Sequence, residues 1–122
     1  MNKHKGGFSL SDCIFCKIAK HEIPCDAVYE DDDFLAFRDI NPVAPTHVLL
    51  IPKKHVSSLL DEGAEAEMLG RMTALVPKLA EQLGIAADGF RLVVNTGKEG
   101  GQTVHHLHFH ILGGRSLQWP PG

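Results

Sequence analysis

No apolar run in the 122 residues approaches the ~18 that a membrane-spanning helix requires. The basic, glycine-rich start at residues 1–7 is not followed by the apolar core of a secretory leader, so neither a span nor a signal is expected. Charge of one sign is scarce too. Twelve Lys and Arg against fifteen Asp and Glu leave a net charge of −3. That argues against a nucleic-acid binder relying on bulk positive charge, while leaving room for a small phosphate ligand. Three cysteines without a leader point to a reducing compartment, the cytoplasm, with free or metal-bound thiols. Internal repeats, low-complexity segments and long linkers are absent. What remains is ordinary for a soluble globular chain, 43% hydrophobic and 22% charged. The length suits one domain, over residues 11–122, behind a flexible arm at residues 1–10.

Periodicity supplies the elements. Ser11 is placed to cap a short helix over about residues 12–20, with Ile14, Phe15 and Ile18 on one face and Pro24 as its stop. Residues 27–30 and 34–40 read as strands joined by the acidic turn Asp31-Asp32-Asp33, and residues 46–51 as a strand covered on one or both faces. Met68, Leu69, Met72, Leu75, Val76, Leu79 and Leu83 recur at helical spacing over residues 61–83. Gly84 is the expected stop, and Pro77 is expected to kink that helix. Residues 90–95 and 106–112 read as the last strands, with a loop at 97–101 between them. The fold class is therefore α+β: a five-stranded, mainly antiparallel sheet with one long and one short helix.

Histidine is what the chain has in abundance. There are eight, four of them between His105 and His110. His106, His108 and His110 alternate with Leu107, Phe109 and Ile111. In a strand the three imidazoles share one face, with neighbours about 7 Å apart, while the apolar residues face a core. Such a row could bind a metal, supply a neutral imidazole nucleophile, or be a merely polar sheet face. Just before it, Gly97, Gly100 and Gly101 permit close backbone approach to a ligand, and Asn95, Gln102 and Thr103 add side-chain donors. Phosphate-binding groups thus lie beside candidate nucleophiles. Cys13 and Cys16 form a CxxC pair without the strand–helix context of a redox motif, and two histidines could complete a Cys₂His₂ zinc site. Taken singly, Ile14, Phe15, Ile18 and Phe37 read as core, Asp39 as a turn residue, and His47 and His55 as structural.

The segment His106-Leu107-His108-Phe109-His110-Ile111-Leu112 resembles the signature of the histidine triad (HIT) superfamily. Further segments resemble its nucleotide-binding branch, the purine nucleoside phosphoramidases: Ile14-Phe15-Cys16-Lys17-Ile18, Glu22-Ile23-Pro24, Ala44-Pro45-Thr46-His47, Ile51-Pro52-Lys53-Lys54-His55, Gly113-Gly114-Arg115 and Trp119-Pro120-Pro121-Gly122. The resemblance covers residues 11–122. It implies a homodimer whose two sheets join, and a substrate in which a purine nucleoside 5′-monophosphate is bonded to an amine through P–N.

The same resemblance implies roles. His108 would be the nucleophile, His110 would meet the leaving group, and His106 with His47 would support the nucleophile. Ile14, Phe15, Ile18, Ile23 and Phe37 would line the purine slot, and Asp39 and Ile40 would hold the ribose. Asn95, Gly101, Gln102 and Thr103 would meet the phosphate, and Trp119 would reach toward the partner's site. Similarity to some bacterial members implies a structural zinc on Cys13, Cys16, His47 and His106. Catalysis would need no cofactor, and neither nucleic acid nor membrane is an expected partner. Thr103 stands where serine is usual, and Asn41 replaces a usual serine near the ribose. The same nucleophile would also serve a hydrolase of dinucleoside polyphosphates or nucleotide sulfates. A non-catalytic nucleotide- or zinc-binding module is the reading of a different class.

Overall fold

The structure is a computed structural model that describes residues 12–122. The arm expected over residues 1–10 and the expected cap Ser11 lie outside the described residues. Helix α1 spans Ile14–Ala19, followed by strands β1 (Ala27–Glu30), β2 (Phe34–Arg38) and β3 (Thr46–Pro52). Helix α2 spans Ala66–Gln82, and β4 (Phe90–Val93) and β5 (Phe109–Gly113) complete the order. The strands form one sheet, β1-β2-β3-β5-β4, antiparallel at every pairing. Among the described residues no helix is long and apolar enough to cross a membrane.

Strand alternation divides the core in two. Phe34 and Ala36 of β2, Val48 and Leu50 of β3, and Phe109 and Ile111 of β5 pack with Met72, Val76, Leu79 and Ala80 of α2. On the opposite face Leu35, Phe37, Leu49 and Ile51 pack with Phe15, Cys16, Ile18 and Ala19 of α1. A strand covered on both faces must be apolar throughout, as Phe34–Phe37 is. Each large side chain buried this way contributes about 1.5–3 kcal/mol.

The ends of the elements follow local bonding. Cys13 caps α1, its Sγ accepting from the Cys16 N–H at 3.3 Å. Asp31 Oδ1 accepts from the N–H groups of Asp33 and Phe34, which closes the acidic turn. The long helix begins later than its periodicity predicts, because the Asp61 carboxylate is spent on the N–H groups of Ser57 and Gly63 and holds that segment as a loop. It runs on through Pro77. It stops at Gly84, where φ is +76° and the Gly84 and Ile85 N–H groups bond back to Glu81 and Ala80.

The last strand also starts later than expected, at Phe109. Leu107 N–H is diverted to the Val56 carbonyl and His106 N–H to the Val104 carbonyl, so the ladder to β3 opens only at the Leu50–Phe109 pair. The alternation of faces survives outside the ladder. Leu107 joins Phe109 and Ile111 on the α2 side, while the His106 and His108 rings both stand edge-on to Phe15 of α1.

Candidate active site

His108 is buried, and its Nδ1 lies 2.7 Å from the main-chain oxygen of His106. A carbonyl only accepts, so the proton of His108 sits on Nδ1 and the lone pair is on Nε2. Burial pushes its pKa below the ordinary histidine value, against the opposing pull of that hydrogen bond and of Asp39. At neutral pH the ring is an uncharged base with a fixed tautomer. Phe15 stands edge-on against it, ring centres 5.1 Å apart, and in turn against Phe37 at 5.7 Å.

His110 faces the same side from β5, with its ring centre 4.9 Å from that of His108. Its Nδ1 lies 2.9 Å from Nε2 of His47, which projects from β3 beside it. The Val43 N–H donates to His47 Nδ1 at 3.2 Å, so His47 carries its proton on Nε2 and donates to His110. His110 therefore holds its own proton on Nε2. Burial, then the neighbouring His108 and His47, depress its pKa to about 4, and burial lowers His47 as well. Asp39 approaches His47 Nε2 at 3.5 Å, and its other oxygen accepts from the Asn41 N–H. It is thus both a turn residue and a member of the site. His47, expected to share with His106 the support of His108, is bonded to His110, while the His106 carbonyl holds His108.

The His108 and His110 rings end a cleft of about 340 Å³. Ten predicted residues line it: Ile14, Phe15, Ile18, Ile23, Phe37, Asp39, Ile40, Thr103, His108 and His110. Ile40 sits at the rim, 91% exposed. Four do not. Trp119 is 81% exposed and away from the wall, and Asn95 and Gly101 are also outside it. Gln102 is turned inward on its own loop. Its Oε1 accepts from Gly97 N–H and its Nε2 donates to the carbonyls of Ser57 and Val104. The Gly101 and Gln102 N–H groups are likewise spent on Lys98 and Gly97. The loop braces itself, and Thr103 is the member of the expected phosphate group that reaches the cleft. Cys25, Arg38, Leu49 and Val104 also line it. None of the four was singled out from the sequence; Leu49 alone carried a signal, sharing a strand face with His47.

Behind His108 lies a second cluster. Cys13, Cys16, His55 and His106 bring one ligand atom each to within 4.8 Å of one another. His47 does not belong to it, which corrects the expected quartet. His47 stands at the start of β3 and its ring is engaged by Val43 and His110, whereas α1 carries the cysteines to the other end of that strand, where His55 follows. His106 Nε2 donates to the Pro52 carbonyl at 2.8 Å, which leaves the Nδ1 lone pair facing Cys13 Sγ at 3.4 Å and Cys16 Sγ at 3.6 Å. His55 Nδ1 lies 3.2 Å from Cys16 Sγ. Tetrahedral zinc with bonds of about 2.0–2.3 Å has ligand–ligand edges of roughly 3.3–3.8 Å, so the donor set fits. Burial holds His106 neutral, its pKa lowered to about 4, and burial with the adjacent Cys13 raises the Cys16 thiol to about 11. A cation would have to draw off that thiol proton.

The HIT domain family matches residues 20–117. Purine nucleoside phosphoramidase of Escherichia coli (strain K12) is 54% identical over 107 residues, 87% of this chain and 90% of that protein. An uncharacterised HIT-like protein of Synechococcus elongatus is 55% identical over 112 residues, 91% of this chain and 97% of that one. Among solved structures, a HIT family hydrolase from Legionella pneumophila superposes with a TM-score of 0.88 at 50% identity, covering 91% of this chain and 100% of that one. A histidine triad protein from Clostridium difficile gives 0.86 at 49%, covering 91% and 97%.

Proposed function

The chain belongs to the HIT domain family, and on that premise we propose that it is a hydrolase cleaving purine nucleoside 5′-monophosphoramidates through a nucleotidyl–His108 intermediate. The observation that carries this reading is the 2.7 Å bond from His108 Nδ1 to the His106 carbonyl, which leaves the Nε2 lone pair for phosphorus. The apolar wall of Ile14, Phe15, Ile18 and Phe37 suits a flat base, and Asp39 a ribose. His108 Nε2 forms a bond to phosphorus as the P–N bond breaks. The electron pair stays on nitrogen, and the amine departs with the Nε2 proton of His110. Positive charge on nucleotidyl-His108 offsets that loss. Water then gives one proton back to His110 and its oxygen to phosphorus, and His108 leaves as neutral imidazole. The Thr103 hydroxyl is placed to meet the phosphoryl oxygens.

Cys13, Cys16, His55 and His106 would hold a zinc ion. With four protein ligands it would be structural, fixing His106 and so the carbonyl that orients His108. The three unpaired thiols suit a reducing cytoplasm. Strand β4 is an edge of the sheet with Phe90 and Leu92 partly exposed, which supports a second copy joining there. Light scattering on the purified chain tests that dimer.

The test of the activity is turnover of an adenosine phosphoramidate against a diadenosine polyphosphate. Preferential release of AMP and amine from the first is expected. Faster cleavage of the second would replace this reading by the polyphosphatase one.

A further inference from the structure

The end of β5 holds the loop that sets the proton positions in the site. Arg115 Nη2 donates to the Val43 carbonyl at 2.9 Å, across 72 residues of sequence. Beside it Gly114, at φ +92°, lies so close to Pro45 that a Cβ there would stand 2.8 Å from the proline Cβ. The loop between β2 and β3 is therefore gripped at Val43 and at Pro45. Within it, the Val43 N–H aims at His47 Nδ1. Val43 thus receives a bond on its oxygen from Arg115 and gives one from its nitrogen to the histidine pair.

We propose that Arg115 is a positioning residue for proton delivery: by pinning Val43 it locks His47 in the Nε2–H tautomer, and so keeps a donating N–H of His110 in the cleft. The chain of bonds allows one polarity. A protonated His47 Nδ1 would confront the Val43 N–H, so the His47 proton sits on Nε2 and points at His110 Nδ1. His110 is left with Nε2–H as the group it displays. If the loop slips, the pair can reverse, and His110 then shows a lone pair where the departing amine needs a proton. The nucleophile is outside this chain, because His108 takes its tautomer from His106. The inference rests on the proposed activity and assigns it a control point remote from the substrate.

Leaving groups separate the two halves of the reaction. An alkylamine must depart with a proton, whereas p-nitrophenolate need not, and the water that then resolves nucleotidyl-His108 gives its proton to solvent. In Arg115→Ala, kcat for an adenosine alkylphosphoramidate should fall about tenfold or more, while kcat for the p-nitrophenyl ester of AMP changes less than twofold. Arg115→Lys, which keeps a donor, should restore most of the loss. Long-range ¹H–¹⁵N spectra read the tautomer without turnover. His47 should show unprotonated Nδ1 in the parent chain and a mixture of tautomers in Arg115→Ala. Equal loss on both substrates, or a single unchanged His47 tautomer in Arg115→Ala, overturns the proposal. Should the parent chain cleave neither substrate, the activity is misread, and the spectra alone decide on the lock.

Discussion

His108 gives its ring proton to the main-chain oxygen of His106, 2.7 Å away, and so presents Nε2 as a bare lone pair. That polarity makes His108 the one triad member whose removal should abolish the covalent step and little else. His108→Asn is expected to lower turnover of an adenosine phosphoramidate by at least about a thousandfold. Calorimetric affinity for AMP should stay within about threefold, because the base and ribose walls are other residues. Mass spectrometry of the parent chain quenched during turnover should find one nucleotidyl group on His108 and none in the variant.

The triad was legible because alternation in an extended chain is a property of the backbone, and it persists through residues 106–108 even though the ladder starts at Phe109. The apolar cleft residues were legible through the family resemblance carried by Ile14, Phe15, Ile18 and Phe37. The internal bonding of the expected phosphate loop was not legible, for a physical reason. Glycines and amide side chains suggest an anion site, but the same groups can satisfy each other, and here Gln102 does so with Gly97, Ser57 and Val104. Pairing of His47 with His110 depends on the register of β3 on β5, which local pattern does not encode.

Burial of neutral imidazoles makes the fold acid-sensitive. In the unfolded chain His110 binds a proton near the ordinary histidine value of 6.5, whereas in the folded chain it does so only near 4. Between those values the unfolded state holds more protons, so stability rises with pH across the window and is fully present above it. His106 is depressed in the same direction to about 4. The melting temperature should be level above about pH 7 and fall from about 6.5 toward 4. His110→Asn should flatten part of that fall. A melting temperature that rises as the pH drops through this range would contradict the buried neutral pair.

Gly113, the last residue of β5, has no room for a side chain. A Cβ would sit 2.9 Å from three carbons of Ile85, just beyond the end of α2. Ile85 is buried in the α2-side core and cannot swing into solvent without leaving a void. Gly113→Ala should therefore destabilise by about 1–3 kcal/mol, seen as a lower urea midpoint at unchanged slope. An unchanged midpoint would mean that α2 and β5 separate more easily than the packing indicates.

The Cys13, Cys16, His55 and His106 group offers a test in which two similar histidines must behave differently. His55 lies 3.2 Å from Cys16 Sγ, while His47 is tied to Val43 and His110. Protein prepared without added metal should carry about one zinc per chain. His55→Ala should lose it, because three ligands and a water bind more weakly than four protein groups, and should melt at a lower temperature. His47→Ala should retain the metal and lose activity instead, since its ring serves His110. Chelation should lower the melting temperature of the parent and of His47→Ala alike, and should leave His55→Ala almost unmoved. Retention of zinc by His55→Ala together with its loss in His47→Ala would reverse the assignment, and it would mean that α1 docks at the opposite end of β3.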